Sequence, residues 1–113
     1  MSLEVDVVSQ DPVTVITARG EIDLATVRAL RDAIDGADAG APAVIVDLSE
    51  VTFLDSSGLR VLAQCQRRLT SEDGTVRLRL VVAGTPVERV FDVTGLRSFF
   101  DVYATRDEAV AGR

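Results

Sequence analysis

Residues 43–60, AVIVDLSEVTFLDSSGLR, join an apolar run, a cluster of small polar groups and the start of an amphipathic segment. Ala43-Val44-Ile45-Val46-Asp47-Leu48 is almost wholly apolar and rich in β-branched residues, the composition of a central strand covered on at least one face. Beyond the polar cluster, Val61, Leu62, Cys65 and Leu69 recur at three- and four-residue spacing, which predicts a helix leaving through the turn Glu72-Asp73-Gly74. A strand handed through a short polar loop to a helix is the unit from which parallel sheets are built.

Working outward, the same alternation recurs. Upstream, Leu3-Glu4-Val5-Asp6-Val7-Val8 and Val13-Thr14-Val15-Ile16-Thr17-Ala18 have the period of half-buried strands, and Gln10-Asp11-Pro12 between them predicts an antiparallel hairpin. Asp23 can cap a helix with Val27, Leu30 and Ile34 on its apolar stripe and Arg28, Arg31, Asp32 and Asp35 on wetter faces, ended by Gly36 to Pro42. Downstream, Arg77-Leu78-Arg79-Leu80-Val81-Val82-Ala83 predicts a strand. Thr85-Pro86-Val87-Glu88 opens a helix toward Gly95, with Val87, Val90 and Phe91 on its core side. Phe99-Phe100-Asp101-Val102-Tyr103 predicts a last strand, and Thr105-Arg106-Asp107-Glu108 a capping box. The order β-β-α-β-α-β-α-β-α gives an α/β fold, a mixed sheet of about four to five strands covered by about four helices.

The chain of 113 residues is of a size to bury one core, so a single domain over residues 1–113 is expected. Hydrophobic residues make up 47% and charged residues 27%, which suits a folded domain rather than a disordered segment. The net charge of −6 lacks the basic footprint that phosphate backbones require, so proteins rather than nucleic acids are the expected partners. Cys65 is the only cysteine, which excludes an internal disulfide and a cysteine-based metal cluster and fits a reducing compartment. No signal-peptide pattern occurs, nor an apolar run near the ~20 residues that cross a bilayer, so the expected setting is the cytoplasm, away from membranes.

The polar cluster Asp55-Ser56-Ser57-Gly58 invites a catalytic reading, which fails on composition. The sequence has no histidine for a Ser-His-Asp relay and no Gly-x-Ser-x-Gly elbow. It has no Gly-Lys-Ser or Gly-Lys-Thr phosphate loop either, so neither an enzyme nor a cofactor is expected. Cys65 lies on an apolar helical stripe, the setting of an inert buried thiol. Helix capping explains part of the cluster: a serine at the N-cap accepts from an unpaired amide, contributing about 1 kcal/mol, while Asp55 organises the preceding turn. One cap needs one side chain, and a hydroxyl is left over. A phosphate on it would sit by the unpaired amides and positive dipole of a helix start, altering a partner surface while the fold stays intact.

Three blocks of the chain resemble the STAS family, specifically the bacterial anti-sigma factor antagonists. They are Gly20-Glu21-Ile22-Asp23 with Ala25-Thr26, Val46-Asp47-Leu48-Ser49 with Phe53-Leu54-Asp55-Ser56-Ser57-Gly58-Leu59, and Pro86-Val87-Glu88-Arg89-Val90-Phe91-Asp92-Val93-Thr94-Gly95-Leu96. The resemblance implies one STAS domain that exchanges partners. Unphosphorylated, such a protein binds an anti-sigma factor, usually a serine kinase that itself holds ATP, and so releases a sigma factor. The kinase phosphorylates the motif serine and ends the interaction, and a serine phosphatase restores it.

Carried onto this chain, the resemblance makes Ser57 the phosphoacceptor. Asp55 and Ser56 flank it and hold the loop or touch the kinase, Gly58 permits close approach, and Asp23 lies on the same rim. Ser56 and Asp23 are also candidates for simple caps, and Phe91, Gly95 and Leu96 for core and helix exit. Arg60 departs from the small residue that close relatives often carry there; its charge can alter which kinase fits or pair with a phosphate on Ser57. The alternative is an unphosphorylated STAS interaction module in a signalling assembly or a lipid-transporter complex.

Overall fold

A computed structural model describes residues 2–37, 41–75, 77–82, 84 and 86–112. Strand β1 (Leu3–Gln10) pairs antiparallel with β2 (Val13–Ile22), and β2 pairs parallel with β3 (Val44–Leu54). Parallel pairing continues to β4 (Leu78–Val81) and β5 (Val102–Tyr103), giving a five-stranded sheet in the order β1-β2-β3-β4-β5. The crossovers are α1 (Val27–Ala37), α2 (Ser56–Arg68) and α3 (Pro86–Thr94), and α4 (Arg106–Ala111) closes the described chain. The expected α/β architecture and element order are therefore observed.

Strand alternation divides the sheet between two cores. Ile16 and Ala18 of β2 and Val44, Val46 and Leu48 of β3 face α1, α2 and α3, where Leu30, Ile34, Leu62, Val87 and Phe91 are fully buried. Full burial of each such aliphatic or aromatic side chain contributes about 1.5–3 kcal/mol, which makes this the principal core. Val13, Val15 and Ile45 point the other way, to a smaller cluster covered by Ala109 of α4.

On that second face Asp47 is buried, and Arg106 of α4 donates to its Oδ2 through Nε at 3.1 Å and Nη2 at 2.9 Å, with Nη2 also donating to Thr17 Oγ1 at 2.7 Å. Ser49 supplies its hydroxyl at 2.6 Å and its amide at 2.9 Å to Asp47 Oδ1. Burial alone pushes the Asp47 carboxyl upward, but the bonds from Ser49 and Arg106 outweigh it and hold the group below the usual carboxylate range. This buried carboxylate thereby fastens the C-terminal helix to mid-sheet.

Several boundaries differ from the sequence expectation. β3 does not stop at Leu48 but continues to Leu54, because β2 also runs on to Ile22 and pairs with it through two register shifts. The polar Ser49, Glu50 and Thr52, beyond the apolar run, stand exposed on a paired strand, where Arg19 donates to Glu50 at 3.0 Å. Phe99 and Phe100 are not in the last strand, which is only Val102–Tyr103. Gly95, at φ 73°, turns the chain into a 3-10 turn over Leu96–Ser98, and Phe100 packs edge-on against Phe91 with centroids 5.4 Å apart. Val90 is half-buried, leaving Val87 and Phe91 as the buried positions of α3. The expected cap Thr85 and strand residue Ala83 lie outside the described residues, as does part of the helix-ending segment 36–42.

Candidate functional site

The site begins with a register pair. Ile22 and Leu54 are partners at the C-terminal ends of the parallel strands β2 and β3, so the next residues, Asp23 and Asp55, leave the sheet side by side. The Asp55 amide donates to the Ile22 carbonyl at 3.2 Å and ties the two loops together. In open parallel sheets the carboxyl ends of the strands are where ligands and partners are met.

Asp55, not Ser56, is the N-cap of α2. Its backbone is extended (φ −101°, ψ −174°), and its Oδ1 accepts from the amides of Ser57 at 2.9 Å and Gly58 at 3.3 Å. A carboxylate caps at least as well as a hydroxyl and also favours the positive end of the helix dipole, which explains why the aspartate takes this position. The same oxygen receives the Ser57 hydroxyl at 2.5 Å. That hydroxyl bond is the foremost reason why the Asp55 carboxyl lies below its ordinary value; amides of Gly58, Ser57 and Leu24 add to it against the effect of burial. Ser56, relieved of capping, stands exposed on the first turn, while Ser57 is half-buried.

Asp23 fastens the turn that leads into α1 in a related way. Its Oδ1 accepts from the amides of Ala25 at 2.9 Å and Thr26 at 3.0 Å, and its own amide donates to Thr26 Oγ1 at 3.0 Å. Thr26 in turn donates its hydroxyl to the Glu21 carbonyl at 2.8 Å. These reciprocal bonds have the pattern of a capping box but close the turn over residues 23–26, and α1 begins only at Val27, so Asp23 fastens the entry turn and is not the residue next to the helix. The turn leaves Leu24 standing out from the rim with 81% of its surface exposed.

Gly58 is buried beneath this rim. A Cβ there would lie 2.3 Å from Leu54 Cδ1 and 2.8 Å from Ile22 Cγ2, so the glycine lets α2 settle on the same register pair that sets the loops side by side. Its close approach is to the core.

Between α1 and α2 lies a groove of about 260 Å³, walled by Leu24, Val27, Arg28 and Arg31 on one side and Ser57, Arg60 and Val61 on the other. Arg31 donates to Gln64 Oε1 at 3.1 Å. The guanidiniums of Arg28 and Arg60 have no hydrogen bond or ion pair among the described residues. Sequence reading anticipated Arg60 but missed Leu24, Arg28 and Arg31 as neighbours of Ser57. The available signal was Leu24 itself, a large apolar residue off the Val27-Leu30-Ile34 stripe. Cys65 is buried on α2, and its burial pushes the thiol up, away from the reactive thiolate. No helix among the described residues is long and apolar enough to cross a membrane.

Comparison with known proteins agrees with this layout. RsfB of Mycobacterium tuberculosis, named an anti-sigma-F factor antagonist, is 35% identical over 112 residues, covering 98% of this chain and 89% of that protein. The crystal structure of an anti-sigma factor antagonist from Mycobacterium paratuberculosis superposes with a TM-score of 0.87 at 36% identity, covering 98% of this chain and 93% of that one. The Bacillus cell fate determinant SpoIIAA in its phosphorylated form aligns with a TM-score of 0.63 at 26% identity over 97% of each chain. The family model described as the STAS domain matches residues 4–109, from the first strand into the last helix. With the family model and the relatives matching along nearly its whole length, this chain belongs to the STAS domain family.

Proposed function

We propose that this protein is an anti-sigma factor antagonist switched by phosphorylation of Ser57. In its unphosphorylated state the rim formed by Asp23, Leu24, Asp55, Ser56, Ser57 and Arg60 docks on an anti-sigma factor, and the sigma factor held by that partner is released. The partner is a serine kinase that brings its own ATP. The Ser57 Oγ–P bond forms as the terminal P–O bond of ATP breaks, ADP leaves, and the hydroxyl proton passes to solvent. The added charge of about −1.5 to −2 then ends the complex until a serine phosphatase hydrolyses the ester.

The observation that carries this reading is the Ser57 hydroxyl itself. It lies on the first turn of α2, lining an open groove, and it is not needed to cap the helix, because Asp55 already binds the amides of Ser57 and Gly58. A hydroxyl that can be esterified without removing the cap permits a change of surface at constant fold. The names of the relatives support the same role.

Intact-mass measurement after incubation with ATP and the candidate anti-sigma kinase, followed by peptide mapping over residues 52–69, tests the proposal. A single phosphate on Ser57 is expected. Binding to the kinase with no phosphate transferred would overturn the switch and leave a fixed interaction module.

A further inference from the structure

Ser57 donates its hydroxyl proton to Asp55, and esterification removes that proton. What replaces it is an anion beside a carboxylate held in its ionised form, so the two groups repel. The usual refuge of an anion at a helix start is also reduced, since the amides of Ser57 and Gly58 are occupied by Asp55 Oδ1. A phosphate on Ser57 must therefore turn away from its own cap.

The groove between α1 and α2 lies on the open side. Arg60 is three residues beyond Ser57 and so shares its helix face, while Arg28 approaches from α1. Both guanidiniums are free of hydrogen bonds and ion pairs among the described residues, in a chain whose net charge is −6. Arg31, also in the wall, is partly engaged by Gln64. We infer that the phosphate of phosphorylated Ser57 is held within the protein by Arg60 and Arg28 in this groove.

The inference rests on the reading of Ser57 as the phosphoacceptor and specifies what phosphorylation does to the surface. Two guanidiniums that are open to a partner in the unmodified protein become occupied by a group on the same chain. The basic groove is thereby closed to carboxylates of a partner, while Asp55 continues to cap α2. The charged groups facing the phosphate are Arg28 and Arg31 from α1, Arg60 from α2 and Asp55 from the strand-to-helix loop. The Asp23 carboxylate on the adjoining loop is turned onto its own Ala25 and Thr26 amides.

The test uses the full chain with phosphoserine genetically encoded at position 57, so that no kinase is required, and follows the phosphate by phosphorus NMR as pH is varied. Arginine pairing favours the dianion, so its second pKa is expected to rise by at least about 0.5 unit in Arg28→Gln/Arg60→Gln. Arg67→Gln/Arg89→Gln, which removes the same charge from exposed positions outside the groove, is expected to leave it unchanged. A smaller rise, or an equal rise in both double variants, would overturn the inference. Failure of a kinase to label Ser57 would instead remove the proposed function, a separate result from this titration.

Discussion

The Ser57 hydroxyl donates to Asp55 Oδ1 at 2.5 Å, and that same oxygen caps α2 through the amides of Ser57 and Gly58. The Ser57 hydroxyl and the cap are thus joined by one bond that the cap does not need. The helix start can keep its geometry while the hydroxyl changes its chemistry.

Ser57→Ala should fold normally and keep the Asp55 cap, with Asp55 titrating higher than in the parent because its foremost stabilising bond is gone. A depressed carboxylate contributes stability above its unfolded pKa of about 3.9 and loses that contribution as pH falls through the folded value. The variant should therefore gain less stability than the parent between acid and neutral pH. Carbon-detected NMR titration of the Asp55 carboxyl measures the shift, and an unchanged pKa would show that the hydroxyl bond is absent in solution.

Ser57→Asp places a permanent charge on the groove wall without the hydroxyl. It should bind the anti-sigma factor at least about tenfold more weakly than Ser57→Ala, a difference of about 1.4 kcal/mol. Calorimetry on the two variants decides it; equal affinities would refute a charge-based switch.

Leu24→Ala removes an apolar group that is 81% exposed, so folding stability should change by no more than about 0.5 kcal/mol. If Leu24 anchors the partner, binding should weaken by more than about 1 kcal/mol. The two effects are read separately by urea unfolding and by calorimetry, and unaltered affinity would place the contact elsewhere on the rim.

Gly58→Ala sets a methyl group against Leu54 and Ile22, which are 5% and 0% exposed and have little room to yield. Overpacking of this kind costs about 1–3 kcal/mol, partly offset by the better helix propensity of alanine, which is worth up to about 1 kcal/mol. A net loss of about 1–2 kcal/mol is expected in urea unfolding; a variant as stable as the parent would mean that α2 can rise from the sheet at no cost.

Arg106→Met leaves Asp47 buried with only the Ser49 bonds and should destabilise the protein by about 1–3 kcal/mol at neutral pH. Asp47 is depressed in the folded state, so its contribution is present above about pH 3.9 and fades as pH falls through the folded value. The gap between parent and variant should narrow on acidification. A gap of the same size at pH 3 and pH 7 would assign the loss to packing instead of charge.

Much of this protein is determined by short-range pattern. The period-2 hairpin, the β-branched run at 43–48 and the apolar stripes of α1 and α2 specify strand and helix wherever they fold, because each element must bury its own apolar face. The same patterning puts the Asp55-Ser56-Ser57-Gly58 cluster between a strand and a helix, which is where the candidate site lies. Spacing could not show that β2 and β3 run on to Ile22 and Leu54, since exposed Ser49, Glu50 and Thr52 look like loop residues until a neighbouring strand pairs with them. It could not choose the aspartate over Ser56 as cap, because either side chain accepts the same amides and the choice lies in the backbone angles at position 55. Nor could it bring Arg28 to Ser57 or Arg106 to Asp47: these partners are separated along the chain by a strand or more and meet only when the parallel sheet sets its helices in place. Local periodicity thus decided the elements and placed the Asp55-Ser56-Ser57-Gly58 cluster at a strand-to-helix junction. The register of two parallel strands decided which charges surround it.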